Sequence, residues 1–230
     1  MMKRKAAILK KRRVQRRQVF SAAVAGNKFA ELAQSLAELG RGFYTRGWVL
    51  GTSGNFSAVI SREPMRLAIT STGLDKGRLA REHFLEMDSA CKVVRGEGGP
   101  SAEAQLHVAV VRETDAGAVM HTHSVWSTVL SGRHAAAGGL ALEGYEMLKG
   151  LQGVRTHKHR EWLPILENSQ DMEELSGIVA KTLREQRGIH GFLLREHGLY
   201  TWGADLQEAQ RHVEILEFLM EVAVRRGNGT

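Results

Sequence analysis

Residues 118–127 read AVMHTHSVWS, and this stretch places two histidines at the end of an apolar run. His121 and His123 alternate with Met120 and Thr122, a period of two that predicts a β-strand. Side chains two residues apart in a strand point to the same face, so both imidazoles would share one side of a sheet. Two imidazoles on one side can chelate a metal ion. The alternative is a pair of hydrogen-bonded structural histidines, because an H-x-H motif is weak by itself.

A third histidine follows another short apolar run. His197 lies in REHGLYTWG (195–203), directly after the strand-like GFLLR (191–195). Gly198 beside it lets a neighbouring backbone come close. Three imidazoles from two strand ends, with one position left open, form the usual arrangement of a catalytic zinc site. A turn or capping role for His197 is the alternative.

The other histidines compete for the same role. His157 and His159 repeat the H-x-H pattern, but Arg155, Lys158 and Arg160 surround them, and a positive field disfavours a bound cation. We interpret that pair as part of a polar loop or an edge strand.

Glu103 and His107 are four residues apart in a predicted helix, so they share one helical face. Helix packing or capping is the simplest interpretation of that pair. The histidines predicted to lie at the surface are His83, His134, His190 and His212.

The rest of the chain alternates short strand-like runs with helical segments. Six helices are predicted. The first begins at Asn27, its N-cap, and ends near Gly47, and the second covers AEAQLHVAVVRE, with Ser101 before it as the cap. The others begin at about Val125, cover EGYEMLKGL, extend from Gln170 to Arg187, and extend from Asp205 to about Arg225. Strands are predicted at FSAVIS, RLAIT, FLEMD, KVVRG, WLPIL and GFLLRE, besides the one that ends at His121, and GRHAAAGG is predicted as a loop. Several strand–strand links are only turn-length, which favours antiparallel pairing. The sequence therefore predicts an α/β fold of three layers (α/β/α) around a central mixed, mostly antiparallel sheet.

The composition is typical of one globular domain. Of 230 residues, 43% are hydrophobic and 25% are charged. The single cysteine, Cys91, allows no disulfide within the chain, so we expect a reducing compartment and a cytoplasmic protein. No apolar stretch approaches the roughly 20 residues that cross a bilayer.

The net charge of +7 comes from the N-terminal end. Residues 1–30 carry ten basic and no acidic side chains, which leaves 22 basic and 25 acidic residues for the remainder. Charge therefore gives no reason to expect the body to bind nucleic acid. We predict a basic, disordered extension over residues 1–26 and a domain over residues 27–230. A transit peptide, a nucleic-acid or membrane arm, and a start codon assigned too early are the alternatives.

Two glycine- and hydroxyl-rich loops are candidates for holding a phosphate. GTSGNFS (51–57) and TSTGLDKG (70–77) both join strands and offer hydroxyls and backbone N–H groups, with Lys76 nearby for charge. Neither is a Walker or dinucleotide fingerprint, so a tight turn is the alternative for each.

In GYEMLKG, Glu146 and Lys149 are three residues apart on one helical face. Such an exposed ion pair contributes little energy unless it borders the metal.

The order of five segments resembles that found in the zinc-dependent class II aldolase/adducin family. The segments are GTSGNFS, ITSTGLDKGRL, PSAEAQLH, AGAVMHTHS and REHGLYTWG. That family includes fuculose- and rhamnulose-phosphate aldolases and ribulose-phosphate 4-epimerases. The similarity spans about Asn27 to Arg225. Further segments are more similar to one branch of that family, the methylthioribulose-1-phosphate dehydratases, which act in methionine salvage. These segments are GYEMLKGL, the following TH with LPILENSQD, and EAQRHVEILEFL.

The resemblance implies a role for each candidate residue. Glu103 would lie by the metal and exchange protons there. Glu146 would be the acid/base glutamate of the dehydratase branch, with Lys149 beside it. Cys91 matches no catalytic position and is expected to be structural. The residues that match the zinc ligands, for one Zn²⁺ per subunit, are His121, His123 and His197. The residues that match the phosphate loops are Gly54, Asn55, Ser71, Thr72 and Gly73.

The implied activity is a hydro-lyase reaction on a ketose 1-phosphate. It would convert 5-methylthioribulose 1-phosphate to 2,3-diketo-5-methylthiopentyl 1-phosphate, in a homo-oligomer that the resemblance suggests is a tetramer. A class II sugar-phosphate aldolase or a 4-epimerase of the same family is the alternative. From other classes, the alternatives are a non-catalytic adducin-like module, against which the three histidines argue, and a nucleic-acid binder that acts through residues 1–30.

Overall fold

Residues 27–227, as described by a computed structural model, form one nine-stranded sheet with helices on both faces. The strands are β1 Asn55–Arg62, β2 Met65–Thr70, β3 Phe84–Asp88, β4 Val93–Arg95, β5 Ala118–Thr122, β6 Gly139–Glu143, β7 Arg160–Leu166, β8 Gly191–Leu194 and β9 Gly198–Gly203. Their order is β4-β3-β2-β1-β5-β9-β8-β7-β6, and each neighbouring pair is antiparallel except β7 with β8. The prediction of a mixed, mostly antiparallel sheet is confirmed. The predicted extension over residues 1–26 lies outside the described residues.

The α-helices form the two outer layers. Their bounds are α1 27–45, α2 Ala104–Glu113, α3 Val125–His134, α4 Met172–Glu185 and α5 Leu206–Gly227. Helices α2 and α4 pack on one face, where Leu106 and Val179 share a buried cluster with Val119 of β5. Helices α1 and α5 cover the other face, where Leu36 joins Met120 of β5. Strand β5 is thus buried on both faces, which explains its continuous apolar run. Within residues 27–227, no helix is both long and apolar enough to cross a membrane.

The sequence-based assignment leaves two strands out. Strand β6 has the sequence GLALE, in which leucine and alanine favour helix, but it pairs along the edge with β7 and buries Leu140 and Leu142. Strand β9, GLYTWG, shows no polar alternation because Leu199 and Tyr200 face two different cores. Tertiary packing, rather than local preference, decides both strands.

Three helix predictions need correction. The segment EGYEMLKGL forms only a short 3₁₀ helix, Glu146–Gly150, because Gly144 before it has φ +79°. Asn27 is itself helical, and its Nδ2 donates to Glu31 Oε1 at 2.6 Å, so it does not cap the helix. Ser101 lies two residues before the cap position of α2, which is Glu103.

Two glycines let the neighbouring strands approach β5 at its carboxyl end. Gly54, just before β1, has φ +75°, and a Cβ there would lie 2.7 Å from the carbonyl oxygen of His121. A Cβ on Gly198 would lie 2.1 Å from the carbonyl oxygen of Thr122. Only glycine avoids these clashes, so both positions are required for β1 and β9 to flank the histidine strand.

Candidate active site

The three histidines predicted as metal ligands converge at the end of β5. The Nε2 atoms of His121 and His123 lie 2.7 Å apart, and those of His123 and His197 lie 3.1 Å apart. The third separation, between the Nε2 atoms of His121 and His197, is 3.4 Å. Strand β5 supplies His121, His123 directly follows that strand, and the turn between β8 and β9 supplies His197.

The hydrogen bonds on the outer side of these imidazoles fix which nitrogens face inward. His121 Nδ1 lies 3.0 Å from the carbonyl oxygen of Leu199, which can only accept, so Nδ1 carries the proton. His197 Nδ1 lies 3.2 Å from Asn168 Oδ1 in the same way. The two inward Nε2 atoms are therefore acceptors, an arrangement that suits a cation between them. A proton on the outer nitrogen is the arrangement of metal-binding histidines.

Burial favours the neutral form of two of these imidazoles. Desolvation, followed by the nearby His197, lowers the pKa of His121 well below its usual value. Burial, with smaller effects from His121 and His197, lowers the pKa of His123 to about 3. Neutral imidazole is the form that binds metal, so His121 and His123 do not have to lose a proton before a cation enters.

Glu103 adds a carboxylate to the same centre. Its Oε1 lies 3.2 Å from His197 Nε2, and its Oε2 lies 3.4 Å from His121 Nε2. The ligand atoms of Glu103 and the three histidines all lie within 4.8 Å of one another. Three imidazole nitrogens with a carboxylate oxygen suit zinc, and they also suit other divalent transition metals.

A buried network behind Glu103 holds its carboxylate. Asn55 Nδ2 donates to Glu103 Oε2 at 2.6 Å and to Ser101 Oγ at 3.1 Å, while Asn55 Oδ1 accepts from His107 Nε2. His107 Nδ1 then accepts from the Ser57 hydroxyl at 2.7 Å. Burial lowers the pKa of His107 to about 4, so this ring stays neutral. The spacing of Glu103 and His107 predicts helix packing or capping, and the resemblance places Glu103 by the metal. Neither predicts the hydrogen bonds of His107 to Asn55 and Ser57.

A cleft of about 270 Å³ opens beside the histidines. Glu103, His123 and His197 line it together with every residue predicted for the phosphate loops, namely Gly54, Asn55, Ser71, Thr72 and Gly73. The backbone N–H groups of Ser71 and Thr72 donate to the carbonyl oxygens of His83 and Gly99, so these two amides are engaged. These two amides are therefore not free to bind a phosphate.

Two further residues of this cleft were missed from the sequence. Gln170 and Met172 line it from the start of α4. No spacing or composition signal separates them from their neighbours. A larger cleft of about 900 Å³ lies between α1 and the beginning of α5, and no histidine of residues 27–227 lines it.

Glu146 and Lys149 do not line the histidine cleft of their own chain. The Glu146 side chain is 70% exposed, forms an ion pair with Lys149, and lies 3.8 Å from His157 Nδ1. The hydrogen bond from Lys149 lowers the pKa of Glu146. The structure thus gathers the three histidines, Glu103 and the phosphate loops, and it leaves this pair at the surface of the chain.

A second histidine cluster surrounds Glu161, which is 1% exposed. His159 Nε2 and His190 Nδ1 lie 2.8 and 2.9 Å from the same oxygen, Oε2. His190 Nε2 donates to the carbonyl oxygen of Gln152 at 2.8 Å. Although burial opposes it, the bond to Glu161 raises the pKa of His190, as expected for a buried imidazolium–carboxylate pair. The predicted surface positions of His190 and His212 are wrong, since both are buried.

The family model of the class II aldolase and adducin N-terminal domain matches residues 34–224. The chain belongs to this family. A protein of Methylococcus capsulatus named methylthioribulose-1-phosphate dehydratase is 41% identical over 199 residues, which cover 86% of this chain and 95% of that protein. A protein of the same name from Pectobacterium atrosepticum is 44% identical over 182 residues, covering 79% and 87% of the two chains. The predicted resemblance to the dehydratase branch is confirmed.

Solved structures agree on the fold. L-fuculose-1-phosphate aldolase of Thermus thermophilus is 26% identical with a TM-score of 0.68, covering 88% of this chain and 99% of the aldolase. YgbL of Escherichia coli is 24% identical with a TM-score of 0.72, covering 88% and 92% of the two chains. The second likeness concerns the fold alone.

Proposed function

We propose that this chain is a zinc-dependent hydro-lyase that dehydrates 5-methylthioribulose 1-phosphate to 2,3-diketo-5-methylthiopentyl 1-phosphate. Relatives about 40% identical over most of the chain carry the name of this activity. The observation that carries the chemistry is the inward convergence of three imidazole nitrogens beside a hydroxyl-rich cleft. The reaction belongs to methionine salvage, and we propose the cytoplasm as its location.

His121, His123 and His197 would hold the zinc ion. Their inward nitrogens fit a divalent cation, and Glu103 can complete the ligand set or leave it when substrate enters. Zinc, when bound, would supply a Lewis acid that stabilises negative charge on the substrate's carbonyl oxygen.

The phosphate loops would orient the substrate. A phosphate group would lie between residues 51–55 and 71–77, and Glu103 lines the same cleft together with His123 and His197. The binding energy of the phosphate therefore fixes C3 and C4 relative to the carboxylate.

Dehydration requires a group that removes the C3 proton and a group that protonates the departing C4 hydroxyl. Glu103 is the carboxylate inside the cleft, and Asn55 keeps it oriented. Glu146 is the other proposed acid/base, but its side chain is 70% exposed and lies outside its own cleft. We therefore propose a homo-oligomer, a tetramer, in which Glu146 and Lys149 serve the cleft of a neighbouring subunit.

Product analysis tests the proposal. The zinc-loaded protein is incubated with 5-methylthioribulose 1-phosphate, and the products are identified by NMR. A diketone phosphate is the expected product. If dihydroxyacetone phosphate and an aldehyde form, the activity is that of an aldolase. If an epimeric ketose phosphate forms, the activity is that of an epimerase.

A further inference from the structure

A lysine is buried between the two phosphate loops. Lys76 follows TSTGLD and is 2% exposed. Its Nζ donates to the carbonyl oxygen of Thr52 at 2.8 Å and to that of Leu74 at 2.9 Å. Its backbone N–H donates to the carbonyl oxygen of Gly51 at 3.0 Å. The residue therefore joins loop 51–54 to loop 70–77.

Within the described part of the chain, no carboxylate balances the charge of Lys76. Among residues 27–227, no acidic side chain forms an ion pair with it, and the adjacent Asp75 lies 3.8 Å from Arg78 Nε instead. Burial lowers the pKa of Lys76 to about 8, with a smaller opposing effect from Asp75. A buried cation without a counter-ion is costly, so it is expected where a ligand supplies the missing charge.

The cleft supplies the place for such a ligand. Lys76 lines it beside Ser53, Thr72 and Gly73, and among residues 27–227 no other lysine or arginine lines it. An ammonium group has three N–H donors, and two of them are used by carbonyl oxygens. The third donor is left for the contents of the cleft.

We propose that Lys76 is the cationic anchor of the substrate's phosphate group. It donates its third N–H to a phosphate oxygen, and the dianion balances the buried charge. This inference rests on the proposed function only in taking a phosphate ester as the ligand. It explains how a cleft in which two loop amides are engaged can favour a phosphorylated sugar over the free sugar.

The test measures the binding of inorganic phosphate to the zinc-loaded protein by calorimetry. K76M is expected to bind phosphate on the order of 10- to 100-fold more weakly, the value of a charge-assisted hydrogen bond. K28M is the matched control, because Lys28 also donates to a backbone carbonyl, that of Ile60, but lies outside this cleft. Phosphate affinity in K76M equal to that of the wild type would overturn the proposal.

A second measurement separates binding from a purely structural role. In the unmodified sequence labelled with ε-¹³C lysine, the Lys76 resonance is expected to titrate at higher pH when inorganic phosphate is bound. An unchanged titration would contradict the anchor role even if K76M fails to fold. Neither measurement requires turnover. If Lys76 binds phosphate but the protein does not dehydrate the substrate, the role of Lys76 as phosphate anchor stands and only the proposed dehydratase reaction is rejected.

Discussion

Asn55 lies directly across from His121 in the β1–β5 ladder. The register of these two strands therefore positions both Asn55, which donates a hydrogen bond to Glu103, and His121, a proposed zinc ligand. A shift of one residue would turn the Asn55 side chain to the opposite face of the sheet. The pairing of these two strands therefore assembles the site, rather than any one loop.

Removing the Asn55 side chain should loosen the centre. In N55A, Glu103 loses a hydrogen bond and His107 loses its acceptor. We expect zinc affinity to fall about 10- to 100-fold, the usual effect of losing a group that orients ligands. Competition with a chelator measures it, with the exposed N27A as control. Zinc affinity unchanged in N55A would show that the network is not needed.

The histidine centre should account for the bound metal. The double variant H121A/H123A is expected to retain almost no zinc after dialysis, because a single imidazole and a carboxylate remain. H134A, at the end of α3, is the control and should keep its zinc. Full zinc content in the double variant would direct attention to the cluster around Glu161.

Glu146 should affect turnover without affecting the metal. E146Q is expected to lose about 10²- to 10⁴-fold in kcat, the usual contribution of an acid/base group, while its zinc content stays constant. E143Q provides the matched control, since Glu143 is also an exposed glutamate near that segment and pairs with Arg160. Full activity in E146Q would leave Glu103 as the acid/base residue.

Most of the histidine centre was predictable because period-two alternation and glycines at the ends of strands are local signals. His121, His123 and His197 follow from such signals, and so do the two hydroxyl-rich loops. The buried setting of His107 depends on β1 approaching α2, which sequence spacing does not encode. Strand β6 was missed because the preference of its residues for helix is overridden by pairing with β7.

Glu217 should make stability fall as pH rises. It is 1% exposed, accepts a hydrogen bond from Thr122 Oγ1 at 2.5 Å, and burial raises its pKa to about 7. Between its unfolded value and about 7, the folded state holds a proton that the unfolded state releases, so the free energy of unfolding decreases with pH in that window.

The variant E217Q stays neutral and escapes this penalty. We expect it to be more stable than the wild type at pH 8 by about 1–3 kcal/mol, and the difference should shrink toward pH 5. Urea unfolding at both pH values, at one protein concentration and saturating zinc, gives the comparison. A difference that does not change with pH would show that Glu217 ionises normally in the folded protein.

The most direct test of the central claim is a zinc titration of metal-free protein in the presence of 5-methylthioribulose 1-phosphate. Diketone phosphate formation should rise in proportion to added zinc and level off at about one zinc per chain, as expected for one catalytic site per subunit. Full turnover without zinc, or no diketone at saturation, would contradict the proposal that dehydration occurs at the centre of His121, His123 and His197.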